Sequence, residues 1–122
     1  MTATIKTDIG VITLDEDLIA SIAGYAACEN YGIVAMNSKT AGDALLQMIG
    51  GENVRRGVKV TTLDDNRVDI DLYVTLLYGI PFPAVAENAM SNVRYRVEEL
   101  TGISVRKVNF YIEGIQIGDT EL

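Results

Sequence analysis

A chain of 122 residues is long enough to bury one hydrophobic core and too short for two, so residues 1–122 are expected to form a single domain. Its 48% hydrophobic and 22% charged content excludes a disordered polymer and describes an ordinary globular protein. A net charge of −7 and a pI near 4.4 repel phosphate backbones and anionic lipid alike, which excludes both as default partners: no nucleic acid and no direct membrane insertion.

Read from the N-terminus, MTATIKTDIG has no apolar run of the kind that makes a signal peptide. A short strand is predicted at Ile9 to Thr13, turning into a helix at Asp15, which can accept a backbone hydrogen bond as N-cap. Glu16 and Asp17 follow where the helix dipole favours negative charge. Leu18, Ile19, Ile22, Ala23 and Ala26 share one side and are the expected buried face, with Gly32 as the stop. IVAMNS reads as a strand. Between Lys39 and Gly57 the pattern loosens, with a short amphipathic helix predicted at Asp43 to Ile49 and a glycine-punctuated loop at GGENVRRG. VKVTTL and RVDIDLYVTLLY then form two strands joined by Asp64, Asp65 and Asn66, a hairpin.

The second of those strands alternates cleanly. Val68, Ile70, Leu72, Val74 and Leu76 point one way, and Asp69, Asp71, Tyr73, Thr75 and Leu77 the other. After Gly79, Pro81 and Pro83 end the ladder and suit a first helical turn. In the helix that follows, Ala86, Met90, Val93, Val97 and Leu100 are the expected core face and Gly102 the stop. A final strand, SVRKVNFYIEG, places Val108, Phe110 and Ile112 on one face and Asn109, Tyr111 and Glu113 on the other. The economical architecture is α+β: a two-layer sandwich with a mostly antiparallel sheet of about four or five strands and two main helices on one face. The longest uncharged run, Leu72 to Ala86, is broken by Gly79, Pro81 and Pro83 and is too short to span a bilayer. A single cysteine allows no intramolecular disulfide, so the chain reads as cytoplasmic.

Little of this sequence invites catalysis. It contains no histidine, the usual general base near neutral pH and the commonest nitrogen ligand for metals. Cys28 lies at the far end of a predicted helix, away from the N-terminus that would lower a thiol pKa, and reads as a small packing residue. Asp64, Asp65, Asp69 and Asp71 are close in sequence but lack the glycine and distal glutamate of a calcium loop, and a solvated turn with one wet strand face accounts for them. No catalytic, cofactor or metal residue is assigned, and no cofactor is expected. The loop carrying Arg55 and Arg56 is a candidate basic loop, open to an anion, to an acidic partner or simply to solvent. The open sheet face would carry Tyr73, Thr75, Leu77 and Tyr111 with acids at its margin. Aromatics within a polar rim have the composition of a contact surface, and these four are the candidate interaction surface. Thr and Tyr also suit exposed strands for their own sake.

The order and spacing of certain pieces carry a resemblance over nearly the whole chain. Ile22-Ala23-Gly24-Tyr25-Ala26, Tyr78-Gly79, Thr101-Gly102, Val108-Asn109 and Gly114-Ile115 together resemble the bacterial alkaline shock protein family, the envelope stress response proteins. The resemblance implies a small, non-enzymatic cytoplasmic protein of mostly Gram-positive bacteria. It also implies self-association into a homo-oligomer, and tethering at the inner face of the membrane by a separate membrane-embedded anchor protein. The family supplies no agreed catalytic residues. The expected function is therefore a self-associating protein–protein interaction module in cell-envelope homeostasis or stress response. The alternative is a regulatory or ligand-binding partner of a cytosolic metabolic enzyme.

Overall fold

The structure is a computed structural model that describes residues 2–36, 57–64, 66–117 and 120–121. Chain order is β1 (Thr2–Thr7), β2 (Gly10–Asp15), α1 (Glu16–Cys28), β3 (Ile33–Met36), β4 (Val58–Thr62), β5 (Arg67–Leu77), α2 (Phe82–Thr101), β6 (Ser104–Ile117) and β7 (Thr120–Glu121). The helix predicted at Asp43 to Ile49, the basic loop with Arg55 and Arg56, and Asp65 of the hairpin turn lie outside the described residues.

β5 is the spine of the main sheet. β4 and β3 share its one edge end to end, both antiparallel, β4 against Val68–Leu72 and β3 against Val74–Leu76. β6 runs parallel to β5 on the other edge, and β7 adds antiparallel to the far end of β6. The α+β, mostly antiparallel reading therefore holds, with a parallel pair at its centre. Parallel neighbours need a long crossover, and α2 is that crossover. β1 and β2 form a separate hairpin, where the sequence pattern predicts a single strand at Ile9 to Thr13. The hairpin seats Ala3, Ile5 and Leu14 against the core and leaves Ile9 98% exposed at its tip.

The alternation of β5 does what its spacing predicts: Val68, Ile70, Leu72, Val74 and Leu76 are all fully buried. α1 packs over β3 and β4, α2 over β6, and the two helices pack on each other. Asp15 caps α1 by accepting the Asp17 backbone N–H at 3.1 Å, and Gly102, at φ 77°, ends α2 with its N–H on the Glu98 carbonyl.

The buried faces of both helices are rotated from the predicted ones. In α1 the core residues are Ile19, Ala20, Ala23, Gly24, Ala26 and Ala27, while Leu18 is exposed. In α2 they are Val85, Ala89, Val93 and Val97, while Leu100 is exposed. Small side chains let the two helix backbones approach closely, close enough for Asn92 Nδ2 to donate across to the Ala26 carbonyl at 3.0 Å. Large residues on that seam would force the helices apart.

Candidate functional site

Both helices lie on one side of the sheet, and among the described residues no secondary-structure element covers the other side of β4, β5 and β6. Register brings its side chains into cross-strand rows. Lys59 stands beside Asp71 and Thr61 beside Asp69 on the β4 side, while Lys107, Asn109 and Tyr111 of β6 stand beside Asp69, Asp71 and Tyr73. Tyr73 and Tyr111 stack with ring centroids 4.7 Å apart and an interplanar angle of 11°. Aromatic pairs of this kind stabilise a ladder by up to about 1 kcal/mol.

The acids beside this stack are paired. The register of β5 and β6 slips between Val68 and Asp69, leaving Arg106 as an extra residue in β6. The Arg106 guanidinium reaches Asp69 in a two-point contact, Nε to Oδ1 at 3.0 Å and Nη2 to Oδ2 at 2.5 Å. That hydrogen bond is the main reason the Asp69 carboxyl is held below the usual carboxylate range, and it outweighs partial burial. Asp71 accepts a hydrogen bond from Asn109 Nδ2 at 2.8 Å. Burial first, then the negative charge of Asp71, pushes the Tyr73 phenol above its ordinary value, so it stays a neutral donor.

The four residues predicted for the contact surface differ in exposure. Tyr111 is 43% exposed and Tyr73 half-buried. Leu77 is half-buried at the end of β5. Thr75 does not belong to the accessible surface, being 3% exposed. A second slip in register, between Val74 and Thr75, sets it beside Gly114, and its Oγ1 lies 2.8 Å from where a Cβ on Gly114 would sit. A sequence reading that assumes unbroken alternation cannot see either slip. It also missed Lys59, Arg106 and Lys107, which turn an acid-margined face into one of mixed charge.

Among the described residues no group of histidine, cysteine and carboxylate side chains could hold a metal. Cys28 is exposed at the last residue of α1, which corrects its reading as a packing residue. Neighbouring groups still desolvate it enough to raise its thiol pKa, the direction that makes a thiol less nucleophilic at neutral pH. Cys28→Ser is therefore expected to leave stability and cellular function unchanged, and loss of function in a variant with an unaltered thermal melt would refute that expectation. Among the described residues no helix is long and apolar enough to cross a membrane.

Residues 4–117 match the model of the alkaline shock protein family, which is described as having a cell envelope-related function. The chain is 36% identical over 118 residues to the uncharacterized protein YloU of Bacillus subtilis, covering 96% of this chain and 98% of that one. It is 33% identical to the uncharacterized protein Spy1614 of Streptococcus pyogenes, over 96% of this chain and 97% of that one. A more distant relative is a stress response regulator gls24 homolog of S. pyogenes, 26% identical over 107 residues, or 88% of this chain and 59% of its own length. No solved structure gives a significant match.

Proposed function

The chain belongs to the alkaline shock protein family, and from that premise we propose that it is a non-enzymatic, self-associating protein–protein interaction module serving the cell envelope or its stress response. The observation that carries the reading is the Tyr73–Tyr111 stack, central on a sheet face that neither helix covers. Aromatic anchors ringed by paired polar groups can be desolvated by a partner at low cost, because Asp69 and Asp71 already have their hydrogen bonds. The relative named as a stress response regulator homolog supports the stress side of the proposal. Membrane attachment, on this reading, comes through a membrane-embedded anchor protein that docks on the open face and holds the domain at the inner surface.

Tyr73→Asp and Tyr111→Asp test it. Each places a charge in the aromatic contact that a partner would have to desolvate unpaired. Capture of the native partner from cells, with the membrane fraction retained, is expected to fall at least roughly tenfold, while the thermal midpoint moves by only a few degrees. Variants that melt normally and recover the same partners would remove the open face from the function.

A further inference from the structure

Among the described residues the outer edge of β6 is paired only by β7 at its far end, and the pattern of hydrogen bonds shows which of its groups face outward. Tyr73 and Leu77 of β5 donate away from β6, to Gly57 and Gly32. In a parallel pair only alternate residues of each strand face the other. At the two ends of the ladder Ser104 donates to Asn66 and Gln116 accepts from Tyr78, so these β6 residues face β5. Carried through the two register slips, the same alternation turns the backbone groups of Val105, Val108, Phe110, Ile112 and Ile115 away from it. The protein closes both ends of this edge. The Glu98 carboxylate of α2 accepts the Val105 N–H at 2.9 Å, and β7 pairs with Gln116 and Ile117. Between them, among the described residues, nothing pairs with the outward backbone groups of Val108, Phe110 or Ile112.

We infer that this window is a two-fold interface at which β6 adds antiparallel to β6 of a second copy, joining two sheets into one. The inference rests on the reading of the domain as self-associating and places that association at the edge, apart from the open face. A single register satisfies Val108, Phe110 and Ile112 together. With Phe110 opposite Phe110 of the second copy, Val108 falls opposite Ile112 and Ile112 opposite Val108, and each such pair exchanges two backbone hydrogen bonds. A shift of the two-fold centre by one residue in either direction loses one of these pairs. The same register sets Lys107 opposite Glu113 of the second copy, twice over by symmetry. Both side chains are exposed in the single chain, and neither takes part in an ion pair among the described residues.

Apolar burial agrees. On the helix side, exposure is 9% at Val108 and 36% at Ile112, and the register lays the residue that is covered against the one that is not. A groove of about 310 Å³ between α2 and β6, lined by Glu87, Met90, Ser91, Arg94, Arg106 and Val108, leaves room there for Ile112 of the second copy. On the opposite side Asn109 meets Tyr111, so both Tyr73–Tyr111 stacks would flank the two-fold axis on one continuous face.

Sedimentation equilibrium of the full chain tests the interface with a charge-swap series. The wild type is expected to dimerise reversibly. Lys107→Glu and Glu113→Lys should each weaken the dimer by roughly tenfold or more, since two opposite-charge pairs become two like-charge pairs. The double variant Lys107→Glu with Glu113→Lys should restore the wild-type constant. Ile112→Pro removes an outward N–H without touching the β5 ladder and should give a folded monomer. If Ile112→Pro fails to fold, the charge series decides alone. A monomeric wild type, single reversals without effect, or a double variant as weak as the singles would each overturn the inference. Tyr73→Asp separates it from the proposed function, because Tyr73 lies on β5, away from the edge. A Tyr73→Asp protein that loses its cellular partner but still dimerises keeps both readings. One that keeps its partner while the charge series behaves as expected sinks the open-face reading alone. One that loses the dimer while the charge series is flat moves self-association to the face and overturns the edge.

Discussion

Ile70→Asp is expected to abolish the cooperative thermal transition. Ile70 is fully buried at the middle of β5, in register with Val60 of β4 and Val108 of β6. Truncating a buried isoleucine costs about 2–5 kcal/mol, and a carboxylate left uncompensated there adds several more. Against a total stability of about 5–15 kcal/mol for a domain of this size, little folded protein remains. Phe110→Asp is a milder change, although alternation puts both residues on the same face. Phe110 lies half-buried on β6, whose outer edge at this point has no partner strand among the described residues, so a charge there can reach water. The pH dependence of Ile70→Asp supplies an internal check. Burial raises the folded-state pKa of the new carboxyl above its unfolded value of about 3.9. The penalty is therefore greatest above the folded-state pKa and is relieved as pH falls towards the unfolded one. A melt that stays two-state at neutral pH, with a midpoint within a few degrees of wild type, would mean that Ile70 is not a core residue.

How far the sequence reveals this architecture depends on what each signal measures. The alternation of β5, the Asp15 cap, the antiparallel pairing of β4 with β5 and the Gly102 stop are local, each set by a few neighbouring residues, and each stands where the sequence places it. The helix faces were misread because hydrophobicity ranks Leu18 and Leu100 above Ala20 and Ala89, whereas the helix–helix seam selects for small volume. The parallel pairing was legible in principle. Strand, helix and strand follow one another over Arg67–Ile117 with tight joints, the pattern of a crossover unit. The first hairpin left a weaker trace, since only Ala3, Ile5 and Leu14 of its two strands reach the core. Of the candidate surface, only the phase of Tyr73 and Tyr111 along their strands is written in the sequence. Their stacking, the exclusion of Thr75 and the Arg106–Asp69 contact all depend on two register slips, which belong to the pairing of two strands and are written in neither.

Gly32→Ala is expected to lower the thermal midpoint by about 10–15 °C, and Gly79→Ala by markedly less. The two glycines make a matched pair, with φ of 97° and 95°. An alanine at either carries the same left-handed backbone cost, of order 1–2 kcal/mol. They differ in surroundings. A Cβ on Gly79 meets nothing within 4 Å, whereas one on Gly32 would lie 2.4 Å from Ile80 Cδ1 and 3.4 Å from Val85 Cγ2. Gly32 cannot easily retreat, because its carbonyl accepts the Leu77 N–H at 2.8 Å and so ties the turn after α1 to the end of β5. The Ile80 side chain must therefore swing out of its packing, an overpacking cost of about 1–3 kcal/mol beyond the backbone term. The difference between the two midpoints measures that cost directly, with the backbone contribution cancelled. The site has more than local weight: Ile80 and Val85 lie where β5 hands over to α2, so displacing them loosens the crossover that holds β6 beside β5. Gly32→Ala should then also weaken the Tyr73–Tyr111 stack, read as a change in near-ultraviolet tyrosine dichroism at temperatures well below the melt. Equal shifts in the two variants would show that Ile80 yields freely and that the joint between α1 and β3 is not packed against the start of α2.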